Sequence, residues 1–311
     1  MWFIFALLTT LSWGAADLFY KKGADEGDRY SHLKTSMMVG LVMGIHAIYV
    51  LVTGNIGYNP ENIIIYLPVS FMYILSMTVG YFGLRYLELS ISSPIQNSSG
   101  AVSCILCLLV LGQTLNLISS MGVILVCLGV LMLGIIEKKM QDSYEVDSDK
   151  KYKIGFIAFL MPVLYCVIDA LGTFFDAYYL DDIATTPLKG VRPETFEAVA
   201  NTTYELTFFI CAVIIFIYLV FIKKERIVPK EQGSRLSAAI FETIGQFFYV
   251  YALSGNGVVA APMISAYCIV SVLLSRIFLK EKLTKAQYIT IIIAIAGIIL
   301  LGISDGLAGD F

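Results

Sequence analysis

Ten long apolar segments, separated by short polar breaks, restrict the possible folds of this chain more than any other feature. They fall near residues 2–22, 33–53, 63–88, 93–112, 116–136, 154–180, 196–222, 235–255, 258–279 and 285–304. Each is close to the ~20 residues that an α-helix needs to cross a bilayer, and about twice as long as the ~9–11 residues of a membrane strand. The segments therefore predict an all-α membrane protein with ten transmembrane helices, embedded in a lipid bilayer.

The composition agrees with this interpretation. Of the 311 residues, 58% are hydrophobic and only 14% are charged, and the mean hydropathy is +0.79. Water-soluble domains carry about 25% charged residues, so a soluble enzyme, a disordered chain and a basic nucleic-acid-binding protein are all excluded. No nucleic-acid partner is expected. The net charge of −3 says little, because the side of the membrane on which charges lie matters more than their sum.

The basic residues predict how the chain is oriented. Nineteen of the 21 Lys and Arg residues lie in connections that follow the odd-numbered segments, and Lys189 and Arg192 alone lie on the other face. Basic loops remain in the cytoplasm, so both termini are predicted to lie outside, in a multi-pass protein of the plasma (inner) membrane. Residues 2–16 resemble a signal peptide, but no basic stretch precedes them and the apolar run continues to Tyr20, which favours a retained helix.

All six cysteines fall inside the apolar segments. Cys104 and Cys107 form a CxxC pair, but neither a second pair nor a histidine lies near them in the sequence. Buried, reduced cysteines are expected, and the sequence predicts neither a metal site nor a cofactor.

An internal repeat divides the chain. Residues 94–135 align with 262–303 without a gap, at an offset of 168. The matched pairs are Pro94 with Pro262, Leu115 with Leu283, Gly129 with Gly297 and Gly134 with Gly302, and, at smaller offsets, Gly80 with Gly245, Trp13 with Tyr165 and Asp17 with Asp169. The predicted parts are a five-helix repeat at 1–137, a cytoplasmic linker at 138–153 and a second five-helix repeat at 154–311. Because five is odd, the two repeats must cross the membrane in opposite directions, an inverted arrangement typical of secondary transporters.

Short motifs then suggest a family. Residues 278–284 read Phe-Leu-Lys-Glu-Lys-Leu-Thr and precede Gln287 and Gly297, while Trp13 and Gly14 lie in the first segment. This pattern resembles EamA-type carriers of the drug/metabolite transporter superfamily, in which a Leu-Gly-Glu-x-Leu-Thr turn joins the last two helices of each half. The chain departs from that pattern, with Lys280 in place of Gly, Gln113 in place of Glu and Cys268 in place of a common Pro. The resemblance implies a duplicated ten-helix transporter, but its motifs are shared across many substrates.

Four carboxylic acids lie well inside the apolar segments: Asp17, Asp169, Glu205 and Glu242. Each costs at least ~2.5–3.5 kcal/mol in a bilayer, so each is a candidate functional residue. No Lys or Arg lies equally deep in the segments, and an uncompensated carboxylate binds either a proton or a cation. Asp176 is nearer the end of its segment and is predicted to be interfacial.

Helical spacing places aromatic and polar side chains beside these acids. Asp169, Glu205 and Glu242 fall within about 6 Å of one depth at 1.5 Å per residue. The predicted substrate and proton site comprises Asp169, Glu205, Glu242, Asp17, Tyr165, Thr173, Trp13, Tyr20, Gln246, Tyr249, Gln96 and Asn97. Acids together with aromatic rings suit an organic cation.

Other roles for these residues remain open. Asp17 has Lys21 one turn away as a possible ion-pair partner. Glu205 and Glu242 could bond each other as protonated structural acids, and Gln96 and Asn97 could simply join helices.

The function predicted from these features is secondary transport of a small organic cation or amine-bearing metabolite by alternating access, with protons as the coupling ion. One alternative is an amino-acid or zwitterion exporter or facilitator of the same fold. Another class of alternative is a lipid flippase or a membrane enzyme, although the chain has only two histidines, His32 and His46. The sequence lacks a GxxxxGK[ST] motif, so ATP drive would need a second chain. Either a monomer or a homodimer is expected.

Overall fold

The computed structural model describes residues 1–25, 27–86, 89–144, 151–280 and 282–309. All regular structure within these residues is helical. The helices are α1 (Trp2–Gly23), α2 (Ser31–Thr53), α3 (Asn62–Ile65), α4 (Leu67–Gly83), α5 (Leu89–Asn97), α6 (Ser99–Leu106), α7 (Leu117–Tyr144), α8 (Lys151–Tyr179), α9 (Phe196–Ile217), α10 (Gly233–Leu253), α11 (Gly257–Ser265), α12 (Tyr267–Leu274) and α13 (Lys285–Gly309). Three π-helical turns, Cys107–Leu111, Tyr218–Ile222 and Ser275–Leu279, continue α6, α9 and α12, and a 3₁₀ turn, Pro229–Glu231, precedes α10.

In the described part of the chain, nine helical segments are long and apolar enough to cross a membrane. Each of these nine segments coincides with a predicted one. The remaining predicted segment, 63–88, is divided into α3 and α4, and α4 has only 17 residues. Pro68 lies in the first turn of α4 and has no N–H to donate back to α3, so the helix restarts there. The all-helical membrane architecture is confirmed, while the count of ten spans stays a prediction.

The predicted linker at 138–153 is partly helical. Helix α7 continues to Tyr144 and α8 begins at Lys151, whereas residues 145–150 lie outside the described residues. Helix α7 therefore extends into the linker region from one end, and α8 from the other.

The internal repeat reappears in the positions at which helices begin and end. At the offset of 168, the bounds of α5 coincide with those of α11, the bounds of α6 with those of α12, and the π turn Cys107–Leu111 with Ser275–Leu279. Pro94 and Pro262 occupy matched positions inside α5 and α11. After each π turn the backbone is left-handed, with φ of 66° at Gly112 and 61° at Lys280. Glycine adopts this conformation without a Cβ clash, so the lysine retains the turn at a steric cost of about 1–2 kcal/mol.

Helix packing repeats in the same way. Helix α1 packs most extensively against α10, and the matched pair is α8 against α4. The pairs α7 with α13 and α2 with α9 each join a helix to its own equivalent in the other half. Helices α1, α4, α8 and α10, together with the broken helices α5–α6 and α11–α12, surround the centre of the molecule, where the acidic residues lie.

Candidate functional site

A narrow cavity lies among these central helices. Its lining includes ten of the residues predicted from the sequence, namely Trp13, Asp17, Tyr20, Gln96, Asn97, Tyr165, Asp169, Thr173, Glu242 and Tyr249. The space between these side chains, including its opening to solvent, is about 740 Å³, and only a small part of it is wide enough for a water molecule. The cavity is therefore narrow and matches a small ligand.

Asp17 is bound by two hydroxyl groups from opposite halves of the chain. Ser93 Oγ donates to Asp17 Oδ2 at 2.6 Å, and Ser271 Oγ donates to the same oxygen at 2.7 Å. Lys21 Nζ instead donates to the carbonyl oxygen of Leu84 at 2.8 Å. The ion pairs of the described residues do not include one between Asp17 and Lys21, so the local pairing that the sequence left open is not formed.

Asp169 is surrounded by the hydroxyl groups of Ser99, Tyr165 and Ser76, whereas Glu242 has Tyr20 as its hydrogen-bond partner. Ser99 Oγ donates to Asp169 Oδ2 at 2.7 Å, and Asp169 keeps part of its surface open to the cavity. Tyr20 Oη donates to Glu242 Oε2 at 3.1 Å. Glu242 is buried and lies within electrostatic range of both Asp17 and Asp169. Three carboxyl groups from α1, α8 and α10 thus share one cavity with spare hydrogen-bonding capacity.

Aromatic rings surround these carboxyl groups. The Trp13 ring centroid lies 4.9 Å from that of Tyr249 and 5.7 Å from that of Tyr267. Tyr20 lies 4.5 Å from Tyr81, measured in the same way. Among the described residues, the lining contains no Lys, Arg or His. Ring faces attract cations, so the surface of the cavity is electronegative without a basic counterion.

Four cavity tyrosines were not predicted from the sequence. They are Tyr73, Tyr81, Tyr204 and Tyr267. Tyr66, Tyr73 and Tyr81 recur after seven and eight residues, which places them along one helical face, and this spacing is a signal that could have identified two of them.

Glycines allow two matched aromatic residues to reach the cavity. A Cβ on Gly245 would lie 2.3 Å from Cδ1 of Trp13, and a Cβ on Gly80 would lie 2.7 Å from Cδ2 of Tyr165. The repeat pairs Gly245 with Gly80 and Trp13 with Tyr165, so the two contacts are equivalent. In each half, the missing side chain creates the space in which an aromatic ring lies.

The structure does not bring Glu205 and Gln246 to the cavity lining. Both carboxyl oxygens of Glu205 lie 2.8 Å from Nδ1 of His46, and Asn201 Nδ2 donates to Glu205 Oε1 at 3.1 Å. The neighbouring residue Tyr204 takes the cavity-facing position of α9. The carboxyl group of Glu205 therefore lies on the face of α9 that contacts α2, which its depth along the helix does not reveal. Gln246 is buried outside the lining.

Asp176, which the sequence predicts to be interfacial, lies three residues from the end of α8 and is enclosed by the protein. Asp176 is 0% exposed, and Tyr66 Oη donates to its Oδ1. The junction between α3 and α4 covers the end of α8, a contact between distant parts of the chain that helix length alone could not reveal.

Within the described part of the chain, no group of three or more His, Cys, Asp or Glu side chains is arranged to hold a metal ion. The described lining of the cavity carries carboxyl, hydroxyl, amide and aromatic groups.

Comparison with known proteins places the chain in a family. The sequence matches the EamA-like transporter family over residues 1–135 and 189–303. The chain belongs to the EamA-like transporter family. This family is part of the drug/metabolite transporter superfamily, so the resemblance in the short motifs is confirmed, and the EamA-like chain is an integral, multi-pass membrane transporter of that type.

Two known proteins are similar to this EamA-like transporter, one in sequence and one in structure. An uncharacterized protein of Methanocaldococcus jannaschii, MJ1333.1, is 35% identical over 96 residues, which are 30% of this chain and 70% of that protein. A crystal structure with 12% sequence identity superimposes with a TM-score of 0.64, over 96% of this chain and 95% of the other. The structural similarity shows that the two proteins share a fold.

Gly245→Ala is expected to destabilise this EamA-like transporter and weaken ligand binding, because the new methyl group collides with Trp13. Overpacking of this kind costs about 1–3 kcal/mol. Gly306→Ala is the matched control, since a Cβ on Gly306 meets nothing within 4 Å, and alanine favours the helix. Thermal unfolding of purified protein should show a lower midpoint for Gly245→Ala alone. Equal midpoints for the two variants would contradict a tight contact between Gly245 and Trp13.

Proposed function

We propose that this protein is a secondary transporter that exchanges protons for a small organic cation at the central cavity. The observation that carries the proposal is the convergence of Asp17, Asp169 and Glu242 in an aromatic cavity whose described lining has no basic side chain. Several carboxylates in one low-dielectric space cannot all remain ionised without neutralisation. Protons or a bound cation supply that neutralisation.

The shape and chemistry of the cavity favour a narrow ammonium or guanidinium compound. Such a cation would lie against Trp13 and the tyrosine rings, where each cation–π contact contributes about 0.5–2 kcal/mol. Its positive group would lie between Asp169, which is partly open to the cavity, and Glu242, which receives one hydrogen bond. A zwitterion would also need a group that binds its carboxylate.

Coupling follows from competition for the same acids. When the cavity faces the more acidic side, protons bind the carboxyl groups and the cation leaves. When it faces the other side, the protons leave and the cation binds. The proton gradient then drives cation movement in the opposite direction, with no covalent chemistry.

We further propose ten spans in two inverted halves that alternate access by moving against one another. The matched bounds of α5 with α11 and of α6 with α12, and the matched helix pairs, support this arrangement. The short α4 would cross the bilayer together with α3 as the third span of the first half.

A ligand screen tests the proposed substrate class. The unfolding temperature of the purified protein would be measured against amines, guanidines and quaternary ammonium compounds, with amino acids, sugars and uncharged isosteres as controls. Because a ligand of the folded state stabilises it by mass action, organic cations should raise the midpoint, and more at pH 8 than at pH 5. Stabilisation by zwitterions or sugars alone would contradict a cation transporter.

Cysteine labelling tests the proposed orientation. Ala184 lies in the loop after α8 and Glu231 in the loop before α10, and both are exposed. In intact cells, an impermeant thiol reagent added outside should label Ala184→Cys but not Glu231→Cys, with the parent protein as the background for its six native cysteines. The opposite pattern would place the basic loops outside and overturn the orientation.

A further inference from the structure

Asp176 is a buried carboxyl group outside the cavity lining. It lies on α8, and its side chain is 0% exposed. Tyr66 Oη donates to Asp176 Oδ1, whereas Asp176 Oδ2 has no hydrogen-bond partner. An unsatisfied carboxylate oxygen in a membrane protein is costly. The group therefore needs either a proton or a further partner that this conformation does not provide.

The helix aligns Asp176 with the cavity. Asp169, Thr173 and Asp176 are separated by four and three residues, so they lie along one face of α8. Seven residues at 1.5 Å each place Asp176 about 10 Å from Asp169 along the helix axis, toward the end of α8 at Tyr179.

Three hydrogen-bonded hydroxyl groups lie in the interval between these two acids. Tyr73 Oη lies 2.9 Å from Thr173 Oγ1 and 2.5 Å from Tyr249 Oη. Thr173 is one turn from Asp169, and Tyr249 lies within electrostatic range of Asp176. Three hydroxyls from α4, α8 and α10 thus stand between the cavity acid and the outlying one.

The surroundings of Asp176 contain no described basic group. The titratable side chains of the described residues within its electrostatic range are Tyr66, Tyr73, Tyr204 and Tyr249, which approach from the α3–α4 junction, α4, α9 and α10. These four hydroxyl groups and the carboxyl group of Asp176 can pass a proton among themselves.

We propose that Asp176 is a proton-relay residue that connects the central cavity to the membrane face at which α8 ends. The inference rests on the proposed proton-coupled function and extends it. In the transfer step, Asp169 loses its proton toward Thr173, each hydroxyl in the series Thr173, Tyr73 and Tyr249 accepts one proton and releases its own, and Asp176 accepts the last. A water molecule or a side-chain rotation completes the chain at each end. One proton has then moved, Asp169 is ionised and Asp176 is neutral.

Asp176→Asn separates proton passage from cation binding. Asparagine can still accept from Tyr66, but it cannot carry a proton. In liposomes, cation uptake driven by a pH gradient should fall at least tenfold, while exchange of labelled for unlabelled cation at equal pH should stay within twofold of wild type. Asp182→Asn, an exposed acid in the following turn, is the control and should leave both rates unchanged.

Tyr66→Phe provides a second test that does not depend on the Asn variant folding. Removing the hydroxyl that donates to the charged form of Asp176 strengthens proton binding there, so the pH of half-maximal uptake should move upward by about one to two units. A purely structural contact would lower the amount of folded protein without moving this pH.

The outcomes distinguish the relay from the proposed function. If cation uptake by the wild-type protein did not depend on the pH gradient, both the relay and the proposed function would be wrong. Gradient-driven uptake in wild type that is equally fast in Asp176→Asn would overturn the relay alone. Equal losses of driven uptake and of exchange in Asp176→Asn would also overturn it, because they would make Asp176 a binding or structural residue.

Discussion

Asp169→Asn is expected to abolish proton-driven transport in a protein that still folds and inserts. Asparagine keeps the shape and can still accept from Ser99, whose Oγ lies 2.7 Å from Asp169 Oδ2. The variant loses both the negative charge and the titration. Loss of a charge-assisted hydrogen bond costs about 1.5–3 kcal/mol, so cation affinity should fall about 10- to 150-fold. Binding by thermal shift and pH-driven uptake in liposomes measure the two effects.

The control for this variant is Asp305→Asn near the end of α13. Asp305 lies 3.9 Å from the amino group of Met1, outside the cavity lining. The Asp305→Asn variant should transport at the wild-type rate. If Asp169→Asn also did so, with a substrate found in the screen, Asp169 would be a structural acid and the proposed coupling would fail.

Glu242→Gln is expected to uncouple transport as strongly. Glu242 receives one hydrogen bond, from Tyr20 at 3.1 Å, and lies within electrostatic range of Asp17 and Asp169. The charge of Glu242 is therefore coupled to the charges of both other cavity acids. The glutamine variant should retain cation binding within about tenfold, because Asp169 remains, but its binding should no longer weaken as the pH falls through the titration of Glu242.

Glu205→Gln is the matched control because it changes the same residue type, also buried. Its carboxyl contacts His46 and Asn201 instead of the cavity. The variant should unfold at a lower temperature, since its hydrogen bond to His46 is no longer assisted by the carboxylate charge, while the pH dependence of binding should remain that of wild type. An unchanged pH dependence in Glu242→Gln, or a loss of it in Glu205→Gln, would show that the wrong acid had been assigned to the cavity.

Much of the fold could be predicted from the sequence because long apolar segments in a bilayer have few alternatives to helices. Nine predicted segments coincide with helical spans, and the matched Pro94 and Pro262 mark the same breaks in both halves. The division of the third segment at Tyr66 was missed. The apolar run continues across it, and the break depends on one proline and on what covers the end of α8.

The acids around the cavity show that residue spacing predicts the depth of a side chain but not the direction in which it faces. Depth along a helix is fixed by residue count, so Asp169 and Glu242 could be placed at one level. The direction in which a side chain faces depends on the neighbouring helix. Glu205 therefore shares that level but contacts α2, and Asp176, close to the end of its helix, is enclosed by Tyr66.

The most direct test of competition between protons and a cation is the count of protons released on binding. The purified protein in weakly buffered detergent, at pH 6 with a pH-indicator dye, would be mixed with a saturating organic cation from the screen. We predict the release of about one proton per bound unit charge, and little release from Glu242→Gln or Asp169→Asn. Binding of the cation by wild-type protein with no proton release between pH 5 and pH 9 would contradict the proposed mechanism.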